Sequence, residues 1–256
     1  MKRATANAIR YRIQEHEIPI NKLPPAFNGY RILHLSDLHI DEIADGGERL
    51  CNIIAELDYH LCVITGDYRF DTYGVHDETI KRLSKLMDVL DCPDGIVGIL
   101  GNHDFIEMVP ELEALGIRML LNESMPINRE QQQIWLVGLD DAHYYEVHDL
   151  ARATLNIDTS QPTVLLVHSP EVIEEAEAFG FDLYLCGHTH GGQVCLPGGL
   201  PIIGNARCQR NKLSGRWSHG SMQGYTHRGT GSSGLPVRIN CPPEISIHCL
   251  KSSTQE

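Results

Sequence analysis

No stretch of the sequence approaches the roughly 20 consecutive apolar residues that a bilayer-spanning helix requires. Met1 to Arg12 carries Lys2 and Arg3 with no apolar segment behind them, so a secretory leader is not expected there. Eight cysteines stand at positions 51, 62, 92, 186, 195, 208, 241 and 249, and none forms a Cys-x-x-Cys pair. Several lie in apolar strand-like runs, Cys62 and Cys186 among them, which favours free thiols in a reducing cytoplasm. Low-complexity linkers and internal repeats are also lacking, so one domain over residues 1–256 is expected. Positive charge is short as well. Lys and Arg number 21 against 34 Asp and Glu, a formal net charge of −13. Such a chain repels a nucleic-acid backbone unless its cations are gathered in one place, and no stable nucleic-acid binding is expected. One segment reverses this balance. From Gly191 to Arg238 there is no acidic residue, while Arg207, Arg210, Lys212, Arg216, Arg228 and Arg238 all fall within it.

Short apolar runs recur, and many end in polar residues: Arg31–Leu35, Leu61–Ile64, Gly95–Leu100, Ile134–Leu139, Thr163–Val167 and Asp182–Cys186. Between them lie helical patterns. Leu50, Ile53, Ile54 and Leu57 form one stripe, and Ile80, Leu83, Met87 and Leu90 a second; Glu171–Phe179 is a third helix, stopped by Gly180. Ile9, Tyr11 and Ile13 alternate like an edge strand within an N-terminal extension of about residues 1–29. The glycine-rich stretch 191–238 reads as hairpins and loops completing a sheet. Strands alternating with helices predict an α/β layered fold, whose functional crevice lies beyond the carboxyl ends of the strands.

Metal-type ligands occupy five of those ends. Asp37 and His39 form Asp-x-His, Asp67 follows Gly66, and Asn102, His103 and Asp104 sit in GNHD. His168 opens HSP, and His188 with His190 form GHTH. A mixed set of carboxylate, amide and imidazole suits Mn, Fe or Zn better than Mg or Ca. A carboxylate shared between two cations about 3.5–4 Å apart would let a bridging hydroxide attack phosphorus in line.

These motifs, in this order and ending in GHTHGGQ, resemble the calcineurin-like metallophosphoesterase superfamily from about Tyr30 to Leu250. LHLSDLH, GHTHGGQV and GLPVRINCPPEI are similar to a bacterial branch that includes general phosphodiesterases and a membrane-surface UDP-diacylglucosamine pyrophosphatase. The resemblance implies a four-layer α/β/β/α sandwich. It implies two divalent ions, Mn first with Fe or Zn as alternatives. One ion would be held by Asp37, His39, Asp67 and His190, the other by Asp67, Asn102, His168 and His188. His103 would face the phosphate and assist the leaving group, with Asp104 orienting its imidazole.

Arg228, His227, Arg207 and Arg210 are the candidates for contacting a small phosphate-ester substrate, Arg228 and His227 first because they sit at the glycine-rich turn. Gly229, Gly231 and Gly234 spell Gly-x-Gly-x-x-Gly, but Leu235-Pro236 follows where a helix would start, so a tight loop is expected instead. Asp140 and Asp141 read as turn residues or as support for the metal site near His143. Trp217 and Tyr225 read as hairpin packing or as cover for an apolar part of the substrate. The leading expectation is a cytoplasmic phosphodiesterase. The alternatives are a lipid-sugar pyrophosphatase at the membrane surface, with Lys2, Arg3, Arg10 and Arg12 touching anionic lipid, and a catalytically silent scaffold like one retromer subunit of the superfamily.

Overall fold

Two six-stranded sheets form the centre of the molecule, which is seen here in a computed structural model describing residues 7–202 and 204–253. The first sheet runs β1 (Arg12–Ile20), β12 (Glu244–Ser252), β2 (Arg31–Leu35), β3 (Leu61–Thr65), β4 (Ile96–Ile99) and β5 (Ile117–Met119). The second runs β10 (Gly215–His219), β11 (Met222–Thr226), β9 (Leu183–Cys186), β8 (Thr163–Leu166), β7 (Gln132–Gly138) and β6 (Glu123–Arg129). Strands β2 to β5 are parallel, as are β7, β8, β9 and β11, so the carboxyl ends of each set lie together.

The period of two along each strand sorts side chains into layers. Ile32, Leu61, Val63, Val97 and Ile99 face Leu136, Val164, Leu166, Leu183 and Leu185 between the sheets. Leu33, Leu35, Cys62 and Ile64 point the other way, under the helices α1 (Glu48–Ile54), α2 (Asp77–Met87) and α3 (Val109–Ala114). Behind the second sheet, Val137, Leu165, Val167 and Tyr184 pack under α4 (Leu150–Ala153) and α5 (Ile173–Phe179). The result is the expected α/β/β/α sandwich.

Local signals explain the helix limits. Gly180 takes the left-handed conformation at φ 80° and ends α5, which begins at Ile173 rather than Glu171. In α2, Asp77 and Glu78 open the first turn and Lys85 closes the last, each complementing the helix dipole. Its buried stripe is Thr79, Leu83 and Leu86, and the helix stops short of Leu90. The N-terminal strand also differs from expectation. Tyr11 precedes it and is buried in the core, Ile13 faces solvent, and β1 pairs in parallel with β12 from the far end of the chain. Lys2 and Arg3 lie outside the described residues.

At the β1–β12 side the layer between the sheets turns polar. His34, His227 and His248 are buried there around Tyr225 and Glu244, with His16 at the margin. Burial, together with the positive charge of neighbouring histidines and arginines, lowers all four imidazoles below their ordinary 6.5. They are therefore neutral in the fold, while the unfolded chain takes up protons below about pH 6.5. Their contribution to stability is present above that pH and lost as pH falls. His248→Gln should flatten the acid side of a urea-unfolding series between pH 7.5 and 5.5 by up to ~1.4 kcal/mol per pH unit. An unchanged slope in the variant would rule this cluster out as a source of acid sensitivity.

Candidate metal centre

The seven residues singled out as metal ligands converge where the two sheets meet. Asp37, Asp67 and Asn102 follow β2, β3 and β4 of the first sheet, and His168 and His188 follow β8 and β9 of the second. The strand ends are knitted together by their backbones: Asp37 N donates to Gly66 O at 3.0 Å and Gly187 N to His168 O at 2.8 Å. His188 N then reaches across to the Asp37 carboxylate at 3.0 and 3.1 Å. Gly187 permits this crossing, because a Cβ there would collide with Ser36 and Asp37.

The chain turns sharply at these ends. Asp37, His39, Asp67, His188 and His190 all adopt positive φ, between 38° and 68°. Non-glycine residues in that region each cost on the order of 1–3 kcal/mol, and such strain gathers at functional sites. Here it turns five side chains off their strands into one pocket.

The donor atoms form two groups. In one, His190 Nε2 lies 3.4 Å from Asp37 Oδ1 and 3.3 Å from His39 Nε2. In the other, Asn102 Oδ1 lies 3.0 Å from His168 Nε2 and 2.8 Å from His188 Nδ1. Asp67 Oδ2 belongs to both, at 3.8 Å from His39 Nε2 and 3.3 Å from His168 Nε2.

The chemistry of this set fits divalent cations. His39 Nδ1 donates to Arg69 O and His168 Nδ1 to Thr65 O, each at 2.7 Å. Those bonds turn the lone pair of each Nε2 into the pocket. Burial holds His39 down to about 4 and His188 down to about 3, so their lone pairs are free at neutral pH. At His168 burial opposes protonation, but Asp67 and Asp37 outweigh it and push the imidazole up to about 10. The pocket calls for positive charge at that point, and a cation can supply it in place of the proton.

His103 stands at the mouth. Its backbone N donates to Asp67 Oδ1 at 2.9 Å and its Nδ1 to Phe70 O, leaving Nε2 4.0 Å from Asp67 Oδ2. Asp104 does not orient this imidazole. Its carboxylate accepts from the backbone N of Asp67 at 2.7 Å, Tyr68 at 2.9 Å and Gly101 at 2.8 Å, clasping the Asp67 turn to the GNHD turn.

Above the donors lies a cavity of about 180 Å³ bordered by Asn102, His103, Thr189, Gln193, Asn205 and Ser233, among others. None of the four expected substrate residues lines it. His227 is buried beneath the site against His34 and cannot meet a substrate. Arg228 N donates to Glu244 at 2.9 Å, and its side chain pairs with that residue at 3.8 Å. Arg207 is exposed beside Glu146, and Arg210 donates to Pro201 O at 3.2 Å. Asn205, whose Nδ2 is 3.5 Å from His188 Nε2, stands where cations were expected.

Asp141 accepts from the backbone of His143, Tyr144 and Tyr145, holding a turn. His143 itself packs on His188 at 4.0 Å between ring centroids, with Glu171 on its Nδ1 at 2.8 Å. Trp217 and Tyr225 are buried packing residues. The glycines of 229–234 form a loop whose Thr230 N and Gly231 N donate to Ser36 O and Asp37 O, bracing the Asp-x-His turn.

Among curated proteins, the chain is 30% identical over 249 residues to the uncharacterized metallophosphoesterase YkuE of Bacillus subtilis, covering 93% of this chain and 85% of that one. It is 29% identical to the phosphodiesterase YaeI of Escherichia coli, over 85% of this chain and 81% of the other. It is also 30% identical to a Danio rerio transmembrane protein with a metallophosphoesterase domain, covering 94% of this chain and 58% of that one. Among solved structures, the sulfate thiohydrolase SoxB of Termus thermophilus superposes with a TM-score of 0.52 at 13% identity, over 90% of this chain. The chain spans 57% of that longer protein, and the likeness is one of fold. The calcineurin-like phosphoesterase profile matches residues 30–192, the segment that carries every one of these donors, and the chain belongs to that divalent-metal-using family.

Proposed function

We propose that the chain is a dinuclear-metal phosphoesterase hydrolysing phosphodiesters. The observation that carries this reading is the place of Asp67 Oδ2 in both donor groups, 3.8 Å from His39 Nε2 and 3.3 Å from His168 Nε2. Asp37, His39, Asp67 and His190 would hold one ion, and Asp67, Asn102, His168 and His188 the other. When bound, such a pair supplies the nucleophile and neutralises charge developing on the phosphoryl oxygens. Asp67 keeps the two groups in register, and Asp104 holds the Asp67 turn. His103 presents Nε2 to the leaving oxygen and can give it a proton. The mixed nitrogen and oxygen set favours Mn, with Fe or Zn next. A small phosphodiester is supported by the name of YaeI, and a cytoplasmic setting by the free cysteines.

A membrane-surface reading has its own support. Among the described residues no helix is long and apolar enough to cross a bilayer. Yet beside the GNHD turn lies a cavity of about 310 Å³ lined largely by Leu100, Phe105, Ile106, Tyr145 and Val147. Ile106 is 57% exposed and the nearby Tyr144 71%. An alkyl chain on the phosphate would find apolar surface there.

The deciding assay offers methyl and hexadecyl p-nitrophenyl phosphate diesters, and the monoester, with Mn, Fe, Zn or Mg. Turnover of the methyl diester above the monoester is expected. A KM at least tenfold lower for the hexadecyl diester would favour the membrane-surface reading. Inactivity on every substrate with every metal would defeat the enzyme assignment and leave a scaffold.

A further inference from the structure

Three arginines converge on a cavity that the phosphoesterase reading does not use. It measures about 360 Å³, and Arg10, Arg12 and Arg238 line it with Asn7, Tyr11 and Asn240. It shares no lining residue with the cleft over Asp67. Among the described residues no carboxylate lines it. Ion pairs engage other arginines, such as Arg31, Arg129 and Arg228, but among the described residues none engages these three.

Each wall supplies a donor or a positive charge. Arg238 is 1% exposed, and its N–H groups are spent on the carbonyls of Gly229, Gly231 and Cys241. Those bonds fix the guanidinium, which also lies in the field of the Asp37 and Glu244 carboxylates but forms no ion pair with either. Tyr11 lines the cavity with its hydroxyl turned into the protein, where among the described residues it has no hydrogen-bond partner. Arg10 and Arg12 are exposed at the same cavity, with forks suited to a tetrahedral oxyanion. In a chain of net charge −13 this concentration of unpaired cations is a local exception.

We infer that this cavity binds a phosphate-type oxyanion, gripped by Arg10 and Arg12 from the solvent side. Arg238 supplies the field at its floor. Arg238 also reaches the metal centre, with Nη2 3.2 Å from His190 Nδ1, so the anion would sit one side chain away from the reaction. The ligand is either free phosphate or the phosphate group of a lipid.

The full chain saturated with manganese is titrated with inorganic phosphate by calorimetry. Wild type should show, besides any phosphate held at the metal pair, a binding event that R10E/R12E lacks and that Arg12→Ala weakens about tenfold, the loss of one charge-assisted hydrogen bond. R10E/R12E should hydrolyse a small diester as wild type does, so the outcome here is separable from that of the phosphoesterase assignment. Equal melting temperatures without phosphate would show that the variants fold; if the double variant does not, Arg12→Ala decides alone. Sedimentation with phosphatidylglycerol–phosphatidylcholine vesicles identifies the source. Retention that R10E/R12E abolishes assigns lipid phosphate, and phosphate binding without retention assigns the free anion. Identical phosphate titrations for wild type and both variants, with vesicle retention indifferent to the arginines, would overturn the inference.

Discussion

Asp67→Asn is expected to leave the protein folded, to hold no more than one metal ion per chain, and to lose at least about a thousandfold in turnover, ~4 kcal/mol of transition-state stabilisation. The substitution keeps the shape of the side chain. An amide oxygen can still accept from His103 N, the 2.9 Å bond made by Oδ1. What disappears is the negative charge facing His39 and His168. Burial alone would raise this carboxyl, yet the charge and hydrogen bond of His168, with His39 and His103, hold it well below the usual range. It therefore stays ionised, and its charge stands between the two donor groups. In the proposed arrangement the other ligands would serve one ion each, so their loss should be milder. Metal analysis after gel filtration, paired with turnover, checks this. Two ions retained in Asp67→Asn with activity within tenfold of wild type would remove the shared role given to Asp67.

The candidate donors could be named from the sequence, because few residue types bind metals and most of these stand at or just past the end of an apolar run. The distance between a strand end and its ligand is short, so local sequence carries the information. Their left-handed turns were not legible. Positive φ at Asp37 and His190 is imposed by contacts with distant segments, such as Gly231 N on Asp37 O. The side of a chain that a residue faces was equally hidden where the sheet continues. His227 lies next to Arg228 in sequence, but it follows β11 into the space between the sheets, under His34. Asp104 beside His103 suggested a pair, whereas its oxygens are taken by the backbone of Tyr68 and its neighbours. The start of β1 was misplaced for a non-local reason too. Its register is set by pairing with β12, more than two hundred residues away, so Arg12↔Glu244 could not be read from alternation around Ile9. The polar layer under the site has the same origin, since His34, Ser246 and His248 meet only through the β2–β12 register.

The second large effect belongs to His103, and it differs in kind from the first. His103→Ala should lower turnover by about 10²–10⁴-fold while metal content stays at the wild-type level. Its Nε2 lies 4.0 Å from Asp67 Oδ2, near the His39–Asp67 pair, but it borders the open cleft where a substrate would enter. Its Nδ1 is bound to Phe70 O, which fixes the ring and leaves Nε2 as the nitrogen that reaches a substrate. Removing the ring leaves the backbone bond from residue 103 to Asp67 in place, so the metal groups keep their support. The size of the loss should depend on the leaving group. A nitrophenolate departs without needing a proton, whereas an alkoxide does not, so His103→Ala should harm an alkyl diester more than a nitrophenyl one. Equal losses on both would assign His103 to charge stabilisation on the phosphoryl oxygens rather than to proton donation. A fall in bound metal matching the fall in turnover would place it among the ligands instead.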